Sequence, residues 1–141
     1  MKDKLKSLLA NADALIIVPP FAGLDRPSLG AHILQSCAAR SGHTVKVLYA
    51  NILLAEKIGE INYEAICFAP TSELIGEKFF AGAAYGGKNI CTIETVRKSF
   101  RNESQSSDML LPPDMDKIRD FSLEIEQWVE EVTDVICSFD F

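Results

Sequence analysis

A chain of 141 residues holds enough sequence for one domain, and a domain of that size buries a core without disulfides or metals to staple it. Its 48% hydrophobic and 24% charged composition excludes a disordered or fibrous polymer. A net charge of −6 and a pI near 4.9 argue against a nucleic-acid backbone or an anionic membrane surface as the main partner.

Cys37, Cys67, Cys91 and Cys137 lie 30, 24 and 46 residues apart, so no C-x-x-C pair or clustered set exists from which to build a structural zinc or iron–sulfur site. Cys37 and Cys137 fall within apolar patterns and read as buried thiols. Met1 to Ser7 is charged and Leu8-Leu9-Ala10 is too short for a secretory core, which places the protein in the reducing cytoplasm.

Along the chain, Leu5, Leu8 and Leu9 keep helical spacing and predict a short amphipathic N-terminal helix. The stretch ALIIVPPFAGLDRPSLGAHIL, Ala14 to Leu34, then organises the rest. Its opening run, Ala14 to Val18, predicts a strand buried on both faces. Pro19 and Pro20 end that strand because neither can donate to a sheet ladder, and Phe21-Ala22-Gly23-Leu24 forms a loop. A helix follows, with Asp25 as its N-cap, Pro27 in its first turn and Leu29, Ile33 and Cys37 as its buried stripe. Ser41-Gly42 closes it. His43 to Ala50 predicts a second strand, with Val45, Val47 and Tyr49 on one face, and strands joined through one such helix should be parallel with a right-handed crossover.

From Asn51, the likeness to a capped helix extends to a stop at Gly59. The segment from Asn62 to Ala84 admits two readings: a short strand at Ala65 to Ala69 ended by Pro70, or one helical run with Leu74, Ile75, the Lys78 stem and Phe79 along a face. Helix is favoured, because Tyr63, Ile66 and Cys67 keep its spacing. Gly86-Gly87 ends it. Lys88 to Asp108 is polar and serine-rich and reads as a solvated connection, with Arg97, Lys98 and Arg101 as part of its surface. Pro112-Pro113-Asp114 announces a strong helix from Met115 to Val132, striped by Ile118, Phe121, Ile125, Trp128 and Val132, in which Trp128 is a core anchor. The closing DVICSFDF predicts a third strand, and its abrupt apolar end suggests a domain truncated after that strand, or one that pairs with another copy.

The chain has no G-x-x-x-x-G-K-[ST] and no G-x-G-x-x-G, so phosphate-loop and dinucleotide sites find no support. No H-E-x-x-H or nucleophile arrangement involves His32 or His43, and both are read as ordinary structural histidines. Glu73, Glu77, Glu124 and Glu126 read as exposed helical acids. The remaining candidates are positional. In an open parallel sheet ligands bind beyond the carboxyl ends of the strands, which selects Pro20, Phe21, Ala22 and Gly23, then Tyr49 and Asn51, then Ser138 and Asp140.

The residues Pro19, Pro20, Pro27, Ser28, Leu29, Gly30, Gly42, His43, Val45, Val47, Tyr49 and Asn51 carry a pattern: an apolar strand, a proline pair, P-S-L-G opening a helix, then G-H-x-V-x-V-L-Y-A-N. It resembles the N-terminal cobalamin-binding-type region of radical S-adenosylmethionine enzymes that mature ribosomally made peptides and bacteriocins. The similarity continues at Tyr63-Glu64-Ala65-Ile66 and Gly76-Glu77-Lys78-Phe79-Phe80-Ala81. The resemblance implies a three-layer Rossmann-like α/β domain with a β-α-β core, spanning residues 1–141 as a whole or partial domain. It implies cobalamin as cofactor at Pro20, Phe21, Ala22, Gly23, Tyr49, Asn51 and Ser138, and a radical catalytic domain or a precursor peptide as partner. No C-x-x-x-C-x-x-C run is present for the radical cluster, and no D-x-H-x-x-G for a lower axial histidine. The expectation is therefore an accessory, non-catalytic domain without an iron–sulfur cluster, holding cobalamin without histidine ligation.

The competing expectation is a structural or protein-interaction module that keeps the fold and has lost the cofactor. A stand-alone enzyme has least support, since no nucleophile, base and orienting group can be assembled. Uncovered apolar surface should promote a homo-oligomer, while nucleic acid and membrane are not expected partners.

Overall fold

A computed structural model describes residues 5, 7, 9–86, 94 and 113–138. Among them the chain is mixed α/β, with a two-stranded parallel sheet and five α-helices. It divides into two compact units, Met1–Leu53 with Glu130–Phe141, and Leu54–Val129.

The first unit contains β1 (Ala14–Val18), α1 (Leu29–Arg40) and β2 (Val45–Tyr49). The strands pair parallel and in step, from Ala14 opposite Val45 to Val18 opposite Tyr49, as the single-helix connection requires. At their amino ends, Asp13 donates its N–H to the Thr44 carbonyl at 2.8 Å and accepts the Thr44 N–H on its carboxylate at 2.6 Å. Leu9, Leu48 and Val135 form the buried apolar cluster, with Leu5, Leu15, Leu53 and Ile136 packed on it. Of β1 only Val18 is fully buried, so the expectation of a strand covered on both faces gives way to a half-covered one.

Helix α1 departs from its sequence reading in cap and in face. Ser28, not Asp25, is the N-cap: its hydroxyl accepts the Ala31 N–H at 3.4 Å. Asp25 is bound instead to Arg26 at 2.6 Å, and that hydrogen bond holds its exposed carboxyl below the usual carboxylate range. The stripe expected to be buried is exposed: Leu29 is 73% and Ile33 52% accessible, and the Cys37 thiol is exposed too. Polar contacts to β2, through His32 and Gln35, decide which face turns inward, and only Ala31 is buried.

The second unit takes in the end of α2 (Ala50–Ile58), α3 (Glu60–Cys67), a 3₁₀ turn (Thr71–Glu73), α4 (Ile75–Tyr85) and most of α5 (Met115–Cys137). A single residue, Gly59 at φ +89°, separates α2 from α3, a conformation that favours glycine. The expected continuous helix over 62–84 is two helices. Pro70 lacks an N–H and disfavours helical backbone in Ala69, and Leu74 then turns left-handed at φ +49° before α4 begins. The strand alternative at Ala65 to Ala69 is excluded, since α3 runs to Cys67. Gly86 caps α4 at φ +66°; Gly87 and, Glu94 aside, the serine-rich stretch lie outside the described residues.

The core of this unit is aromatic. Phe79 and Tyr63 are fully buried, and Phe121 lies 6.2 Å from Phe79 and 6.4 Å, edge-on, from Trp128, which also meets Phe80 at 6.1 Å. The predicted stripe is buried throughout, with Ile118, Phe121, Ile125 and Trp128 in this unit and Val132 in the first. Buried Asn62 donates to the Ile58 carbonyl and accepts the Asp114 N–H, both at 2.7 Å, and Asp114 caps α5 through the N–H groups of Asp116 and Lys117.

The expected third strand is overturned over Asp134 to Cys137, which continue α5. Val135 extends the three-and-four spacing of Ile118 to Val132, and no glycine or proline interrupts it, so the β-branched run is read by the helix and not by a sheet. Phe139, Asp140 and Phe141 lie outside the described residues. Cys137, like Cys37, is exposed and not a buried thiol.

Candidate functional site

The carboxyl ends of two parallel strands lie at one edge of the sheet, and here the end of β2 grips the loop that leaves β1 at three places. Tyr49 pairs with Val18, the last residue before the loop. Its phenol oxygen accepts the N–H of Ser28, just past the loop, at 3.2 Å. Between them, the Asn51 side-chain amide donates to the carbonyls of Ala22 at 3.5 Å and Gly23 at 3.3 Å. Phe21, within the loop, sits at φ +64°, a conformation that costs a non-glycine residue about 1–2 kcal/mol. The loop is therefore held in a shape its own residues do not prefer.

A hydrogen-bond chain runs from this clamp into α1, and its directions follow from its far end. Gln35 Nε2 donates to the Val45 carbonyl at 2.8 Å; a carbonyl only accepts, so the amide orientation is fixed and Gln35 Oε1 faces His32 Nδ1 at 3.2 Å. In neutral His32, Nδ1 then carries the proton and Nε2 is an acceptor. Tyr49 lies 2.8 Å from Nε2 and gives it its hydroxyl proton. The chain Ser28 N–H to Tyr49, Tyr49 O–H to His32, His32 N–H to Gln35, and Gln35 N–H to Val45 is thus uniform in direction, an arrangement in which successive bonds polarise one another.

Asn51 ends differently. It is only 2% exposed, and its Oδ1 has no hydrogen-bond partner, although the amide nitrogen is fixed by two carbonyls that would repel an oxygen in its place. A buried acceptor left unpaired costs about 1–3 kcal/mol, so it marks a place where a donor is wanted. Asn51 is not the helix cap expected of it, since α2 already begins at Ala50.

Of the residues selected from sequence, the structure brings Ala22, Gly23 and Asn51 into hydrogen-bond contact and fixes Tyr49 to the far side of the same loop; Pro20 and Phe21 lie within that loop. Ser138, expected at the end of a third strand, instead follows the last turn of α5 and donates its hydroxyl to the Val135 carbonyl at 2.8 Å. His32, Ser28 and Gln35 were not selected. The signal for them is spacing: Ser28, His32 and Gln35 follow one helical face directly after the strand-end loop, and their partner Tyr49 ends the neighbouring strand. His43 belongs to the opposite, amino-terminal edge, where it lies 3.9 Å from the Asp13 carboxylate with both groups exposed.

Among the described residues no group of histidines, cysteines and carboxylates could hold a metal ion, and no helix is long and apolar enough to cross a membrane. No protein-family model, curated protein or solved structure matches the chain, so the resemblance to cobalamin-type regions stands on the residues quoted for it.

Proposed function

We propose that this chain is a cofactor-binding accessory module of the cobalamin type, working through the carboxyl edge of its sheet and serving a separate radical peptide-maturing catalyst. The observation that carries the reading is the buried, unpartnered Asn51 Oδ1 beneath a clamped strand-end loop. An orphaned acceptor suits the carboxamide-bearing rim of a corrin, and Asn51 with the Ala22–Gly23 loop would hold it. When bound, the corrin would supply a reactive cobalt centre to the catalytic partner.

Ligation without a protein histidine is supported from two sides. His32 is engaged through both ring nitrogens, and His43 lies at the other end of β2. The test is titration of the protein with hydroxocobalamin followed by gel filtration. Corrin absorbance should travel with the protein at micromolar affinity and weaken about tenfold in Asn51→Ala, the effect of losing one well-made hydrogen bond. Failure of the corrin to co-elute overturns the reading.

A second reading, a protein-interaction module, is favoured by one observation: Leu29, Ile33 and Leu34 of α1 are 73%, 52% and 61% exposed. It expects self-association, and a monomeric mass across micromolar concentrations in light scattering would remove a second copy as the partner.

A further inference from the structure

We infer that the carboxyl edge selects ligands through neutral N–H donors, of the primary carboxamide class, and discriminates against carboxylates and phosphates. The inference rests on the reading of that edge as the binding edge and adds the chemistry of what it takes.

Asn51 presents an oxygen with no donor, and its nitrogen is spent on Ala22 and Gly23. Tyr49 is spent as a donor, because its proton goes to His32; it accepts once, from Ser28, and a phenol oxygen has a second lone pair. The donors that would draw an anion to the start of α1 are in part consumed. Ser28 N–H goes to Tyr49, Ala31 N–H to the Ser28 hydroxyl, and His32 N–H to the Ser28 carbonyl.

What the side chains of Asn51 and Tyr49 still offer is therefore acceptors. A carboxylate or phosphate brings further acceptors and a negative charge, with no donor to answer Asn51 Oδ1. An ammonium brings donors, but the carboxylate of this loop, Asp25, is already paired with Arg26 at 2.6 Å, and none of Ser28, His32, Gln35, Tyr49 and Asn51 carries a negative charge that would balance it once desolvated. A carboxamide brings two N–H donors without charge, and its own oxygen can remain toward water.

The uniform chain keeps Tyr49 in this role. Gln35 fixes the proton on His32 Nδ1, so Nε2 stays an acceptor and keeps the Tyr49 proton turned away from a ligand. Gln35 and His32 are thereby positioning residues for the acceptor character of Tyr49.

The experiment needs no corrin and no variant to begin. The ¹⁵N-labelled full chain is titrated separately with propionamide and with propionate at equal ionic strength, and the Asn51 side-chain NH₂ and the backbone amides of Ala22 and Gly23 are followed by NMR. Propionamide should shift them saturably, at a concentration about tenfold below propionate, as expected when one hydrogen bond is made in one case and not in the other. Equal response, stronger response to propionate, or no response at Asn51, as when a water already satisfies Oδ1, overturns the inference. Gln35→Glu then serves as the positioning test. It replaces the amide that bridges His32 and Val45, and it should narrow the preference for propionamide while the Ala22 and Gly23 signals stay dispersed; an unchanged preference removes the role given to Gln35. A propionamide response without hydroxocobalamin binding would overturn the cobalamin reading alone, and hydroxocobalamin binding without amide preference would overturn this inference alone.

Discussion

The two units solve the same problem, fixing chain segments far apart in sequence, with different chemistry. In the second, the rings of Phe79, Phe121 and Trp128 meet in a buried cluster that leaves the Trp128 indole Nε1 without a hydrogen-bond partner, and buried Asn62 has a partner for both ends of its amide. In the first, polar side chains span the distance: Tyr49 reaches Ser28 and His32, and Asn51 reaches Ala22 and Gly23, while one acceptor is left over. An apolar cluster is indifferent to direction and maximises buried area. A polar clamp is directional, and an incomplete one is informative, because the missing partner has a defined chemistry. The contrast makes the aromatic cluster the place to test stability and the clamp the place to test the proposed ligand recognition.

The largest effect should come from Trp128→Ala. Deleting a side chain that is 5% exposed and touches two phenylalanine rings should destabilise by about 3–5 kcal/mol, seen as a lowered denaturant midpoint. An unchanged midpoint would dissolve the contrast from the apolar side.

Tyr49→Phe probes the other side. It removes one oxygen that serves both Ser28 and His32, and because the site is only part-buried the cost should be about 1–2 kcal/mol. Ser28→Ala, which removes the cap of α1, should cost about 1 kcal/mol. If these two losses add in the double variant, Tyr49 and Ser28 are independent; a shortfall of a few tenths of a kcal/mol or more shows the coupling that a shared clamp demands.

The smallest effect concerns the thiols. Burial raises the Cys67 pKa above its ordinary value, whereas Cys37 and Cys137 are exposed. Cys67 should be alkylated after both of them in the folded protein and need a more alkaline pH, as peptide mapping after timed labelling would show. A thiol pKa raised by folding contributes stability that is present below the unfolded value and lost as pH rises through the folded one. The contribution of Cys67 should therefore fade only above about pH 9. Labelling of Cys67 as fast as Cys37 would mean that this part of the second unit opens readily.

Much of the second unit was legible in the sequence, because burial there follows spacing. Ile118, Phe121, Ile125 and Trp128 mark a helix face in the sequence and are buried along it. The same rule misread α1, where Leu29, Ile33 and Cys37 keep the spacing of a buried stripe and are exposed. Hydrophobic periodicity identifies a helix, but which side turns inward depends on what lies opposite. Opposite α1 are the Tyr49 hydroxyl and the Val45 carbonyl, which polar His32 and Gln35 can satisfy and leucine cannot.

By itself the sequence determined two parallel strands, the helix between them, the loop at their carboxyl edge and the helix that starts after Pro113, because prolines, glycines, β-branched runs and apolar spacing act within a few residues of themselves. The tertiary structure alone decided that Leu29, Ile33 and Cys37 of α1 are left exposed and that Asn51 lies buried against the Ala22–Gly23 loop with one oxygen unanswered. Those outcomes depend on residues 17 to 52 positions apart competing for the same hydrogen bonds and the same buried space, as the Tyr49 to His32 and Asp114 to Asn62 bonds do, and no local pattern records who wins that competition.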